Sequence, residues 1–185
     1  MINRKQFALA AAGAFALSSG AAMAQGSVGA YYADFGDLDG FGLEADFVVA
    51  DQFRLFADVT MLDEGDVEQD IVRFGGGYLM QMNDQMSLEF GASFQNWDFS
   101  NPFFSFDDDA IGVHGALNYA VTPEFTFTAK AEFLMFDMMD DDDIVIGLRG
   151  SYNVTPEIAI FGGADIYNHD VIDETLIRFG ASFNF

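Results

Sequence analysis

Thr175-Leu-Ile-Arg-Phe-Gly-Ala-Ser-Phe-Asn-Phe185 alternates between two kinds of side chain without a break. Ile177, Phe179, Ala181, Phe183 and Phe185 share one face, and Leu176, Arg178, Gly180, Ser182 and Asn184 share the other. Successive side chains of a strand point to opposite sides, so this is a strand greasy on one face and mostly small or polar on the other.

The pattern recurs upstream. Ten strands are expected, over 27–34, 40–50, 53–62, 71–81, 86–98, 110–121, 125–136, 144–154, 158–167 and 175–185. Most are long enough to cross a bilayer at a tilt, which takes about ten residues. The connections alternate in kind. One set is short: Asp51-Gln52, 82–85, Thr122-Pro123-Glu124 and Thr155-Pro156-Glu157. Proline there supplies the fixed φ of a type I turn. The other set is longer and acidic, around Asp37, 63–70, 98–109, 137–143 and 168–173. Tyr119-Ala-Val-Thr-Pro-Glu-Phe-Thr-Phe127 returns as Tyr152-Asn-Val-Thr-Pro-Glu-Ile-Ala-Ile160, a repeated hairpin unit and not a solenoid.

The start of the chain carries a different signal. Asn3-Arg4-Lys5 is basic, 7–17 is apolar, and Ala22-Met23-Ala24 offers small residues for a peptidase. This reads as a cleaved signal peptide over 1–24, too short to span a membrane, followed by one domain over 25–185. Removing Arg4 and Lys5 leaves 5 basic against 30 acidic side chains, a net charge of −25. With no cysteine, disulfides and thiol chemistry are excluded.

Signal, glycine-rich strands, Tyr-x-Val-Thr-Pro-Glu turns and the terminal Phe185 together resemble the small Gram-negative outer-membrane barrels of the OmpA-barrel and porin-like type. The resemblance implies an all-β fold, a closed antiparallel up-and-down transmembrane barrel. The strand count gives ten, with eight, as in OmpA-type barrels, the alternative. It also implies Sec-type export with cleavage near Ala24 and residence in the outer membrane. Its implied partners are outer-membrane lipid, lipopolysaccharide, and the barrel assembly machinery, which would read the C-terminal strand.

Fixing each strand's phase from its apolar residues sorts every charge. The five basic residues fall on the phase away from lipid: Arg54, Arg73, Lys130, Arg149 and Arg178. So do Glu44, Asp46, Asp58, Glu89, Glu132 and Asp165, with His114. The lipid phase takes Phe41, Leu43, Phe90, Val113, Phe133, Ile146, Leu148, Ile160 and Phe179 among others. A charge facing lipid at the midplane costs about 2–4 kcal/mol, so a bilayer demands this sorting. The eleven lumen charges are expected to pair between neighbouring strands, because unpaired charge in a narrow lumen is expensive.

The remaining acids crowd the long-loop rim, 20 of the 30 with no Lys or Arg among them. Such a rim attracts cations. Asp140, Asp141, Asp142 and Asp143 form the candidate metal cluster, suited to loosely held Ca²⁺ or Mg²⁺, although the ligand spacing of an EF-hand is missing. No resident cofactor is otherwise expected, and no basic patch points to nucleic acid. Asn168-His169-Asp170 is too cheap a coincidence in so acidic a chain to support protease chemistry, and the chain is not expected to be an enzyme. Two functions follow as expectations. One is porin-like: narrow, cation-leaning passive diffusion of small solutes or ions. The alternative is a structural or surface-interaction barrel whose lumen is plugged by ion pairs.

Overall fold

A computed structural model describes residues 25–50, 52–137, 142–168 and 174–185. The signal segment 1–24, Asp140, Asp141, His169 and Asp170 lie outside the described residues.

Ten strands form one closed barrel in which each pairs antiparallel with its sequence neighbours and β1 closes onto β10. They are β1 (Gln25–Phe35), β2 (Leu38–Val49), β3 (Phe53–Glu64), β4 (Val67–Asn83), β5 (Met86–Ser100), β6 (Ser105–Ala120), β7 (Phe125–Phe136), β8 (Asp143–Asn153), β9 (Ile158–Tyr167) and β10 (Thr175–Asn184). The count is ten, not eight. Closure continues past β10, because the amides of Gly26 and Phe185 each donate to the other's carbonyl, at 3.0 and 2.9 Å.

The register sets the barrel's shape. Following the ladders once around from Gln25 through Val48, Arg54, Gly77, Gly91, His114, Glu132, Val145, Tyr167 and Glu174 arrives level with Asp37, a stagger of twelve residues. Ten strands with that stagger tilt by about 40° and enclose a lumen that side chains can largely fill.

The expected phases hold throughout. Phe41, Phe90, Phe179 and the other lipid-phase residues are exposed on the outer wall, while Tyr78, Tyr119, Tyr152 and Phe185 are exposed toward its turn end. The turns are built as their residues suggest. Thr122 Oγ1 accepts from the amide of Phe125 at 3.1 Å, and Thr155 Oγ1 does the same for Ile158 at 3.0 Å.

The long-loop expectation is corrected at two places. The segment 63–70 turns over Gly65-Asp66 alone, and 98–109 narrows to a link over 101–104. Alternation persists through both, with Gln69, Ile71, Trp97 and Asp108 buried while Glu68, Asp98, Asp107 and Asp109 are exposed. Carboxylates on one face of a strand that rises above an apolar belt meet water, so their presence does not end the strand. Gly65 has φ 63° and Gly36 φ 64°, which lets both turns stay tight.

Candidate functional site: a lumen in two layers

The tilt brings inward side chains from different strands to common levels. Toward the loop end these are apolar. Tyr31, Ala33, Phe35, Leu62, Ile71, Trp97, Leu134, Val145, Phe161, Tyr167 and Leu176 form one buried cluster, with Leu38 and Phe136 packed against it. Every strand except β6 contributes. Phe35, Trp97 and Tyr167 meet in a closed triangle, with centroids 6.3 Å (Phe35–Trp97), 5.4 Å (Trp97–Tyr167) and 5.6 Å (Phe35–Tyr167) apart, all edge-to-face. These rings come from β1, β5 and β9, no two of which are adjacent, so they touch across the axis. Trp97 is 4 % exposed and Leu62 and Leu134 are 0 %, so these side chains are covered by their neighbours. The Trp97 indole N–H donates to Gln95 Oε1 at 3.3 Å.

Below this layer sit the charges. All eleven expected lumen residues point inward, and each makes an ion pair. Arg54 donates to both carboxylate oxygens of Asp46, Nη2 reaching Oδ2 at 2.7 Å, and to Glu89 Oε2 at 3.0 Å. The other Glu89 oxygen lies 3.1 Å from His114 Nε2. Lys130 donates to Glu132 at 2.9 Å, Arg73 lies 3.3 Å from the same oxygen, and Ser93 donates to the other at 2.6 Å. Arg178 pairs with Asp165 and lies 3.8 Å from Asp58. Arg149 makes a two-pronged bond to Glu44 at 2.8 and 2.6 Å.

Neighbour pairing was the expectation, and several partners lie elsewhere. Arg149 on β8 reaches Glu44 on β2, Arg73 on β4 reaches Glu132 on β7, and Arg178 on β10 approaches Asp58 on β3. Long side chains in a narrow barrel reach across as easily as along the wall. These bonds therefore fill the lumen as well as neutralise it. A cavity of about 100 Å³ remains among Glu44, Arg54, Arg73, Lys130, Arg149 and Arg178. On the turn side of it the inward positions Ser27, Val48, Thr126, Ser151, Asn153 and Asn184 are half-buried and mostly polar.

The two layers are joined. The Arg149 guanidinium lies 3.8 Å from the Phe161 ring centroid, and Arg178 lies 5.7 Å from that of Tyr31. Tyr31 keeps its ring in the apolar cluster and donates its hydroxyl to Asp58 at 2.7 Å, with Thr60 Oγ1 also at 2.7 Å. The ring fits because the facing residue is Gly42, where a Cβ would lie 2.1 Å from a Tyr31 ring atom.

Aromatics near strand ends suggest an interfacial girdle, here Tyr31 or Tyr32, Trp97, Phe133 and Tyr167 at the loop end. Tyr32 and Phe133 face out, whereas Trp97 and Tyr167 point inward. The signal was present: Trp97 shares the phase of Glu89, and Tyr167 that of Asp165.

The acidic run splits in the same way. Asp142 is exposed, while Asp143 is buried and accepts from the Asn168 amide at 3.2 Å. Among the described residues, no three His, Cys, Asp or Glu side chains converge as metal ligands. On the outer wall above the belt, Asp34 faces Asp39, Asp39 faces Asp63, and Asp98 faces both Asp70 and Asp107 across the ladders.

No protein-family model matches the chain, and no curated protein matches its sequence. Solved structures do. A structure titled KdgM porin is 14% identical with TM-score 0.53, covering 86% of this chain and 99% of that one. The same porin in complex with disordered oligogalacturonate is 15% identical, TM-score 0.52, with the same coverage. The NanC porin is 12% identical, TM-score 0.52, covering 86% of this chain and all of its own. At such identities the likeness is one of fold: a porin-like β-barrel.

Proposed function

We propose that this chain is an outer-membrane barrel with a lumen shut at its loop end, serving as a structural and surface-interaction barrel and not as an open conduit. The observation that carries this is the Phe35–Trp97–Tyr167 triangle across the axis. A membrane setting is supported by the outer wall, where Phe41 at 68 % and Phe179 at 65 % exposure belong to a band of exposed apolar side chains far larger than water tolerates and suited to acyl chains. Outer-membrane lipid and lipopolysaccharide are then the surroundings of this wall. The terminal strand β10 is the segment offered to the assembly machinery.

Two measurements test the proposal. The exported protein should fractionate with outer membranes and shift its gel mobility on boiling. Vesicles containing it should not swell in an isotonic solution of a small sugar. Recovery in the soluble periplasm contradicts the location, and swelling contradicts the closed lumen.

A second reading has its own support in the charged cavity beneath the rings and in the titles of the similar structures. In it the ring layer is a gate, and the acidic rim makes the opened path cation-leaning. It requires a condition under which the rings part and conductance begins.

A further inference from the structure

The hairpin of β5 and β6 carries an exposed aromatic tip. Phe103 is 93 % exposed and Phe104 58 %. Their backbone is held in place: Asn101 Oδ1 accepts from the amides of Phe103 and Phe104 at 2.9 and 3.0 Å, and the Asn101 amide donates to the Phe104 carbonyl at 3.0 Å. The Phe104 ring lies 5.6 Å from that of Phe99. An ordered turn that presents two phenyl rings has already met the backbone part of the entropic cost of binding.

The protein's own bilayer is out of reach. Outward positions on β5 run Phe94, Asn96, Asp98 and Ser100, and on β6 Ile111, Asp109, Asp107 and Ser105. From Phe94 to Ser100 is about 20 Å along the strand at 3.4 Å per residue. Carboxylates line that distance. A second copy is disfavoured by charge, since all five basic residues of the barrel are in the lumen and two such rims repel.

From these features we infer that the Phe103–Phe104 tip is a docking point for a cationic amphipathic polypeptide. Its apolar side covers the two rings, and its Lys or Arg side chains meet Asp98, Asp107 and Asp109. This rests on the surface-interaction reading above. Aromatic anchors ringed by charge of one sign are what such a partner recognises.

The test uses the full mature barrel in nanodiscs of zwitterionic lipid. The probe is a fluorescent Lys/Leu amphipathic peptide, with a Glu/Leu peptide of the same pattern as control, and binding is read above that of empty discs. The Lys/Leu peptide should bind, weaken as salt rises, and lose at least tenfold affinity on Phe103→Ser with Phe104→Ser. Asp107→Asn with Asp109→Asn should weaken it and flatten its salt dependence. Retained heat-dependent mobility shows each variant folded. No binding, equal binding by the double-serine variant, or equal binding of the Glu/Leu peptide overturns the inference. Conductance of the same discs' protein reports separately on the closed lumen, so either claim can fail without the other.

Discussion

The loop-end layer and the central layer of the lumen fill the same cylinder by different chemistry. The ring layer needs only shape. Its members come from nine strands and, apart from the Tyr31 hydroxyl and the Trp97 N–H, none needs a particular partner, because dispersion and desolvation reward any close fit. The charged layer needs correspondence. Each of its cations must meet a carboxylate at bonding distance, and several do so across the lumen. Water exclusion and neutralisation are therefore separate tasks. In the closed-lumen reading proposed above, the rings exclude water. The ion pairs make it tolerable to enclose the polar inner faces that a membrane barrel must have.

Perturbing the layers should give unlike results. The largest effect is expected at Glu132→Ala. It strips the shared partner from Arg73, Lys130 and Ser93, leaving Lys130 only Asp165 at 3.8 Å and Arg73 without its carboxylate, at a cost of about 3–5 kcal/mol. A urea titration of the folded band in lipid vesicles reads this directly, and a midpoint like the parent's would mean that water compensates those cations. Trp97→Ala removes the ring common to three aromatic contacts and should cost about 3 kcal/mol. Unlike the charge variant, it should also let the lumen conduct. Gly42→Ala pushes a methyl into the Tyr31 ring, and overpacking of this kind costs about 1–3 kcal/mol. Tyr31→Phe keeps the ring but deletes the bonds to Asp58 and Thr60. A loss of about 1 kcal/mol with the lumen still silent would show that the bridge couples the layers without forming the seal.

Alternation made the architecture legible: the ten strands, the short turns and the inward phase of the eleven lumen charges can be read from the chain. The reading failed where composition was allowed to outweigh phase. Asp107 and Asp109 read as loop because they are acidic, yet they continue a strand whose other face is buried. Trp97 and Tyr167 lie near strand ends, where aromatics often form a girdle, yet their parity with Glu89 and Asp165 places them inside. Partners across the lumen could not be read at all. Whether Arg149 finds Glu44 depends on tilt and stagger, which the ladder register fixes only after closure.

If rings, and not charges, shut the lumen, single-channel recording of the refolded mature protein in a planar bilayer will find the parent silent and its Trp97→Ala variant passing discrete conductance steps. Steady conductance from the parent, or silence from a variant that remains heat-modifiable, would contradict it.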